Sequence, residues 1–293
     1  MISVVGAGLA GSLLALELAE RGCKVRLIDA DTSSNATALS YGLMPWSAAA
    51  PWRRLQRRHG DLGLRLRWLQ LGHSRLPVPA LQIDPQVFTT AMAAVLPALG
   101  VERQTARLAQ LPEDGTPVVL ACGAGCRALA PVLDGRLLVS WAGILELTPD
   151  WAGRLLGWRA GIAQLPERFA RLELERRAPS LEQETWIVDG GLVPCGDRLL
   201  AGQISLVRPG LKTGDAPDSQ TMEQRLRQAL AQRWPQLAQA PGRYRQVPVS
   251  FCSDGIPLAG PAGDGLWVLA GFSGAFSQIP AAARCLADQL AAN

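Results

Sequence analysis

Three glycines near the N-terminus have the spacing of a phosphate-binding turn. Gly6, Gly8 and Gly11 form a GxGxxG pattern between an apolar run and a helical pattern, and Asp29 follows eighteen residues after Gly11. The glycines permit a tight bend and close approach of a pyrophosphate, and the acid accepts hydrogen bonds from a ribose. We expect an adenine dinucleotide, either FAD or NAD. The predicted contacts are Gly6, Ala7, Gly8, Leu9, Ala10, Gly11, Asp29 and Ala30.

The composition excludes several other classes of protein. Of the 293 residues, 48% are hydrophobic and 18% are charged, which is a globular rather than a disordered balance. The net charge of +4 is too small to indicate nucleic-acid binding by itself. With two histidines and no Cys-x-x-Cys pair, we expect no metal site. Six scattered cysteines and no apolar stretch of transmembrane length predict a reduced, cytoplasmic protein without a transmembrane segment.

Hydrophobic patterning predicts an α/β fold in which the glycine turn joins a strand to a helix. Residues 137–215 alternate apolar stretches with Gly and Pro, which predicts antiparallel strands. The predicted buried strands are residues 1–5, 24–28, 117–121 and 266–270. The predicted helices are residues 12–21, 87–96, 219–233 and 275–290.

The C-terminal segment distinguishes between FAD and NAD as the expected cofactor. Residues 254–261 (DGIPLAGP), an apolar strand and Gly271-Phe272-Ser273-Gly274 before a helix resemble the FAD-dependent D-amino-acid oxidase family, which includes glycine oxidase and monomeric sarcosine oxidase. Three further segments are similar in family order: residues 40–43 after a polar loop at 31–38, residues 118–129, and residues 191–202. The resemblance therefore spans the whole chain.

The resemblance implies a non-covalently bound FAD and an FAD-dependent oxidoreductase. Such an enzyme moves hydride to flavin N5 from the carbon beside the nitrogen of a small amine or amino acid. A helix starting after Gly274 would point its positive end at the charge formed on the flavin. The further implied cofactor contacts are Ser40, Tyr41, Gly42, Leu43, Ala121, Cys122, Gly123, Gly271, Phe272, Ser273, Gly274, Ala275, Phe276, Ser277 and Gln278.

The resemblance also implies the domain organisation. We expect a Rossmann-type FAD-binding domain, discontinuous in sequence, with an inserted antiparallel-sheet substrate domain. The FAD-binding domain is predicted to comprise residues 1–50, 80–136 and 250–293. The substrate domain is predicted to comprise residues 51–79 and 137–249.

The chain departs from the family where the substrate carboxylate is held. Family members have an arginine shortly before the DGxP segment, and the corresponding position here is Val249. Arg245 lies four residues earlier and would reach the site only if its strand were shifted or bulged. Arg245 and Tyr244 are the predicted catalytic residues. The departure leaves open a second hypothesis, an FAD-dependent oxidoreductase of this fold with a substrate that is not an amino acid.

A third hypothesis is a flavin-binding interaction protein without catalysis. Arg53, Arg54, Arg57 and Arg58 share one helical face, which is either a solvated surface or a partner-binding surface. Cys122 and Cys126 are interpreted as small residues packed near the cofactor, with a redox pair as the alternative. Cys252 is the nearest candidate for covalent flavin attachment, but its spacing from Asp254 does not match the family.

Overall fold

The computed structural model describes residues 1–30, 35–74, 76–112, 114–133, 135–156, 161–209 and 214–292. Residues 31–34 of the predicted polar loop lie outside the described residues. The strands are β1 (Ile2–Val5), β2 (Val25–Asp29), β3 (Leu43–Met44), β4 (Leu64–Leu71), β5 (Val78–Ile83), β6 (Glu102–Thr105), β7 (Val118–Leu120), β8 (Leu137–Leu147), β9 (Ile162–Leu165), β10 (Thr185–Cys195), β11 (Arg198–Val207), β12 (Gly242–Cys252), β13 (Leu258–Gly263) and β14 (Leu266–Ala270). The helices are α1 (Leu9–Glu20), α2 (Ala49–His59), α3 (Pro85–Ala98), α4 (Cys126–Leu129), α5 (Pro149–Leu156), α6 (Ala170–Arg177), α7 (Ser219–Ala231) and α8 (Ala275–Ala291).

The first sheet is the predicted dinucleotide-binding sheet. Its order is β13-β14-β7-β1-β2-β6, and all neighbours pair in parallel except β13 with β14. Helix α1 is buried on nearly all sides because it packs against the sheet, α3 and α8. This sheet, with its crossover helices, confirms the predicted α/β fold class.

The second sheet is the predicted antiparallel lobe. Its order is β12-β8-β11-β10-β9-β4-β5-β3, and only β4 with β9 pairs in parallel. On one face, Met222, Leu226 and Leu230 of α7 pack into a core with Leu145 and Leu206. Because side chains alternate along a strand, Ile144, Val247 and Val249 point to the other face, which we call the inner face.

Most predicted elements are confirmed within two or three residues, with the differences at their ends. The division into domains stays a prediction. Helix α2 is buried in the same core as α1 and α8 through Trp52 and Leu55, although residues 51–59 of this helix are predicted to belong to the substrate domain. Conversely, β3 belongs to the second sheet, although it was assigned to the FAD-binding domain.

Candidate functional site

Three glycine-containing loops meet at one edge of the first sheet. They follow the carboxyl ends of β1, β7 and β14, which are neighbours in the parallel part of the sheet. Ligands of open α/β folds bind outside such carboxyl ends, where adjacent loops leave a crevice. The loops are residues 6–11, 121–125 and 271–274.

The backbone of the first loop leaves no space for side chains at two of its glycines. Gly6 has φ of 105°, and a Cβ there would lie 2.6 Å from the Cα of Cys122. A Cβ on Gly11 would lie 1.7 Å from the carbonyl oxygen of Gly6. At Gly8 an added Cβ would lie 3.2 Å from the Thr37 hydroxyl oxygen, so a side chain there would crowd Thr37.

Two polar side chains hold this loop in place. The Asp29 carboxylate accepts a hydrogen bond from the Ala7 amide at 2.6 Å. Asp29, which is predicted to bind the ribose, therefore lies directly beside the glycine loop. The Thr37 hydroxyl accepts a hydrogen bond from the Leu9 amide at 2.9 Å, at the N-terminus of α1. Sequence reasoning missed Thr37, because a hydroxyl in a polar loop carries no periodic signal. The N-cap residue of α1, Gly8, has no side chain of its own to bond the amides at this end of the helix.

Residues 40–43 lead the chain from the glycine loops into the second sheet. The Ser40 hydroxyl accepts a hydrogen bond from the Gly42 amide at 3.2 Å. Gly42 has φ of 65°, and a Cβ there would lie 1.9 Å from the carbonyl oxygen of Ile83. The backbones therefore touch, and β3 pairs with β5 directly after this point.

The third loop ends at the N-terminus of α8. Gly271 is glycine by necessity, since φ is 81° and a Cβ would lie 2.6 Å from the Sγ of Cys252. The N-cap residue of α8 is Gly274, which has no side chain to bond the first amides of the helix. The positive end of this helix is therefore available to an anionic group at the same sheet edge.

A tryptophan fixes the first turn of α8. Pro280 has no amide proton, so it cannot bond to the carbonyl of Phe276 four residues earlier. The indole nitrogen of the fully buried Trp52 donates to this carbonyl instead, at 2.6 Å, and the Trp52 and Phe276 rings stack. Helix α2 thereby holds the end of α8 that faces the site.

The comparisons with known proteins decide the family. The family model described as FAD dependent oxidoreductase matches residues 1–76 and 75–289. The chain belongs to this family. FAD is therefore its cofactor, and the predicted resemblance is confirmed. No match is found among curated proteins.

Solved structures similar to this oxidoreductase show the same fold at low sequence identity. Glycine oxidase from Geobacillus kaustophilus is 16% identical with a TM-score of 0.69, covering 99% of this chain and 94% of that chain. L-amino acid deaminase from Proteus vulgaris, with its specific insertion deleted, is 14% identical with a TM-score of 0.67, covering 99% and 89%. L-proline dehydrogenase from P. horikoshii is 15% identical with a TM-score of 0.64, covering 99% and 92%.

Both predicted catalytic residues, Arg245 and Tyr244, have contacts within the second sheet. The register of β12 on β8 is continuous, so no bulge moves Arg245 toward Val249. Arg245 lies 3.5 Å from the Glu146 carboxylate. Tyr244 points to the opposite face, against the α7 core, and donates to Gln246 at 3.1 Å. Their catalytic roles stay a prediction, and the neighbours of Val249 on the inner face include the apolar Ile144 and Val247.

The structure instead brings a polar cluster to the third loop, which sequence reasoning missed. Glu175 of α6 is 2% exposed and forms an ion pair with Arg171 at 2.7 Å. The Ser273 hydroxyl donates to the Glu175 carboxylate at 3.5 Å. Both oxygens of Asp189 accept backbone amides at the start of α6, from Ala170 and Arg171. Burial raises the pKa of the Glu175 carboxyl and, likewise, that of Asp189.

The cysteines near the site are thiols. The Sγ atoms of Cys122 and Cys126 lie 3.7 Å apart, well beyond the length of a disulfide bond. The hydrogen bond from Cys126 lowers the pKa of the Cys122 thiol. Burial raises the pKa of Cys252, which packs against Gly271.

The arginine face of α2 is mostly engaged within the fold. Arg54 and Arg58 lie 3.7 and 3.0 Å from the carboxylates of Glu17 and Glu20 on α1. Arg53 lies over the Trp46 ring at 4.7 Å. These contacts give three of the four arginines a role within the fold, and the partner-binding surface stays a hypothesis. In the described ranges, no helix has the length and apolar character to cross a membrane.

Proposed function

We propose that this FAD-dependent oxidoreductase oxidises the C–N bond of a small amine or amino acid. The uncapped N-terminus of α8, aligned at one sheet edge with the glycine loop of β1, carries the proposal. The names of the similar structures support the substrate class, since they include an oxidase of glycine and a deaminase of L-amino acids. Bound FAD would supply the hydride acceptor, and hydrolysis of the product imine would follow in water.

The chain's own residues would bind FAD and position its two ends. Residues 6–11 with Asp29 and Ala30 would hold the pyrophosphate and ribose, because a glycine turn lets a phosphate approach the backbone at the start of a helix. Residues 40–43 and 121–123 would line the path along the sheet edge. Residues 271–278 would face the flavin, and amides at the start of α8 would stabilise negative charge there. We propose that the link is non-covalent, since Cys252 is packed against Gly271.

Anaerobic reduction tests the proposal. The purified protein is mixed without oxygen with a panel of primary amines, secondary amines and amino acids, and its visible spectrum is followed. The expected result is loss of the oxidised flavin band with at least one member of the panel, together with formation of the matching aldehyde or keto acid. A flavin that dithionite reduces but no member of the panel reduces would contradict C–N oxidation and favour a different substrate.

We also propose that the protein is cytoplasmic. The support is its six free thiols, two of which lie only four positions apart without forming a disulfide bond. Rapid alkylation of the cells before lysis, followed by mass spectrometry, is expected to find all six thiols reduced. A disulfide in the protein isolated this way would contradict the proposal.

A further inference from the structure

One face of α6 presents an ion pair to the inner face of the second sheet. Arg171, Leu174, Glu175 and Ala178 lie at i, i+3, i+4 and i+7, so they share this face. Leu174 and Ala178 pack into a core with residues of the sheet, and Glu175 also receives the hydrogen bond from Ser273. The sheet residues in this core are Leu138, Val207 and Phe251. Helix α6 therefore bridges the sheet and the third glycine loop.

Two buried hydroxyl groups at the same place have no hydrogen-bond partner in the described part of the chain. Ser140 is 1% exposed and lies between Val207 and Val249 on β8, so its unpartnered Oγ points to the inner face beneath α6. The Tyr41 hydroxyl is also unpartnered, and Tyr41 packs in the cluster that contains Val249. Unsatisfied buried hydroxyls are rare because they cost free energy, and a bound ligand is one explanation for them.

The charges around these hydroxyls favour a cation. The cluster has one guanidinium, Arg171, and two carboxylates, Glu175 and Asp189. Arg171 is already paired with Glu175, so a substrate carboxylate would be the third in this cluster and would meet surplus negative charge. The position where family resemblance implies an arginine is Val249, which offers a carboxylate no partner. Burial raises the pKa of the Tyr41 hydroxyl, and the negative charge of Asp189 raises it further.

We propose that Arg171, Glu175, Asp189, Tyr41 and Ser140 form the substrate-recognition subsite, and that it selects an amine with no carboxylate on the carbon to be oxidised. The inference rests on the proposed C–N oxidation and narrows its substrate class. The ammonium group would lie against Glu175, with the hydroxyls of Tyr41 and Ser140 as its further partners. Oxidation requires the amine to lose its proton, and the Glu175 carboxylate is the buried base that receives it.

A matched pair of ligands tests this selection by binding alone. tert-Butylamine and 2-aminoisobutyrate differ only in that a carboxylate replaces one methyl group, and neither has a hydrogen on the carbon that bears nitrogen. Both are titrated into the FAD-loaded protein, and binding is followed by the change in the flavin spectrum and by calorimetry. We expect tert-butylamine to bind about tenfold or more tightly than 2-aminoisobutyrate, the difference that one charge-assisted contact makes.

Substitutions test whether the five proposed subsite residues cause the preference for an amine without a carboxylate. Glu175→Gln keeps the shape and removes the charge, and we expect it to weaken tert-butylamine binding by about tenfold. Glu173→Gln is the matched control, because Glu173 is on the same helix, exposed, and paired only at the surface with Arg176. We expect the control to leave binding unchanged. Tyr41→Phe and Ser140→Ala remove hydroxyls that bond nothing in the described structure, so they test the subsite even if Glu175→Gln fails to fold.

The outcomes separate this inference from the proposed function. Equal or tighter binding of 2-aminoisobutyrate would overturn the inference. So would unchanged tert-butylamine binding in both Tyr41→Phe and Ser140→Ala. If amino acids but not amines reduce the flavin, C–N oxidation stands and the inference fails. If nothing in the panel reduces the flavin, the proposed function itself fails.

Discussion

Gly11 is the residue on which the geometry of the first loop depends most directly. A methyl group there would overlap the carbonyl oxygen of Gly6, which belongs to the loop expected to hold the pyrophosphate. We predict that Gly11→Ala loses FAD binding and destabilises the protein by about 1–3 kcal/mol, the usual cost of overpacking. The FAD content of the purified variant and its urea unfolding curve measure the two effects.

The control for this substitution is Gly153→Ala. Gly153 lies in α5, and beyond its chain neighbours and the helix backbone no atom of the described residues lies within 4 Å of an added Cβ. Alanine is the better helix former, so this variant is expected to keep its FAD and its stability. If Gly11→Ala also retained FAD in full, the phosphate-binding role of the loop would be wrong.

The raised pKa of Glu175 predicts that the stability of the protein depends on pH. Burial and the charge of Asp189 raise this pKa, and together they outweigh Arg171 and Ser273, which lower it. The folded state therefore holds this proton more tightly than the unfolded chain. The free energy of unfolding must fall as pH rises from the unfolded glutamate pKa of about 4.3 toward the folded value. We predict that Glu175→Gln makes this decline shallower in urea unfolding across a pH series.

The exposed Glu173 again provides the comparison. Glu173→Gln is expected to keep the wild-type decline, because its carboxylate lies at the surface. A Glu175→Gln variant with the same decline as the wild type would show that Glu175 titrates normally in the folded protein. Because burial also raises the pKa of Asp189, part of the decline in the free energy of unfolding should remain in both variants.

The residues that the sequence revealed are those with a local signature. The glycine pattern at residues 6–11 and the acid at Asp29 were predictable because turn and helix geometry act over a few residues. Glu175 and Ser273 are 98 positions apart, and their contact depends on how α6 lies across the second sheet. Nothing in the local pattern of an eight-residue helix carries that information.

Among the elements, α8 depends on a contact from far away in the chain. Pro280 leaves the Phe276 carbonyl without a helical partner, and Trp52 supplies the missing donor. We predict that Trp52→Phe lowers the free energy of unfolding by about 1–3 kcal/mol, since a buried carbonyl is left unsatisfied. It should also weaken FAD binding, because the N-terminus of α8 loosens.

A double-mutant cycle isolates this contact. Pro280→Ala restores an amide proton that can bond to Phe276, so Trp52→Phe should cost less in that background than in the wild type. Trp46→Phe is the control, because Trp46 is 47% exposed and contacts Arg53 at the surface. Equal costs of Trp52→Phe in the two backgrounds would contradict the proposed role of the indole.

The elements that the sequence predicted well are the buried strands and the long amphipathic helices. β1, β7, β14 and α7 have a clear apolar pattern, so their positions were predictable. β6 was missed because its residues, Glu102–Thr105, are polar and exposed, and only the pairing with β2 makes them a strand. The β4–β5 pair was missed because arginines interrupt its apolar pattern.

FAD would join parts of the chain that are far apart in sequence. The three loops of the site come from residues 6–11, 121–125 and 271–274, and residues 40–43 connect them to the second sheet. A ligand that binds only the folded protein stabilises it by mass action. We predict that free FAD at one hundred times its Kd adds about 2.7 kcal/mol to the free energy of unfolding of the apoprotein.

Calorimetry of the apoprotein with increasing FAD measures this effect. The melting temperature should rise with FAD concentration, and the parts of the protein that contain the two sheets should melt in one transition. AMP provides the comparison, since it lacks the flavin and should produce a smaller rise at the same concentration. A melting temperature that does not change with FAD would contradict binding at the shared sheet edge.

The visible spectrum of the purified protein, repeated after denaturation and removal of the polypeptide, tests whether FAD binds at the shared sheet edge. We predict a yellow protein with a flavin spectrum, and release of free FAD into the protein-free supernatant. A colourless protein that neither retains FAD nor binds it when it is added would contradict FAD binding. Yellow colour that stays with the denatured polypeptide would keep the cofactor but overturn its non-covalent attachment.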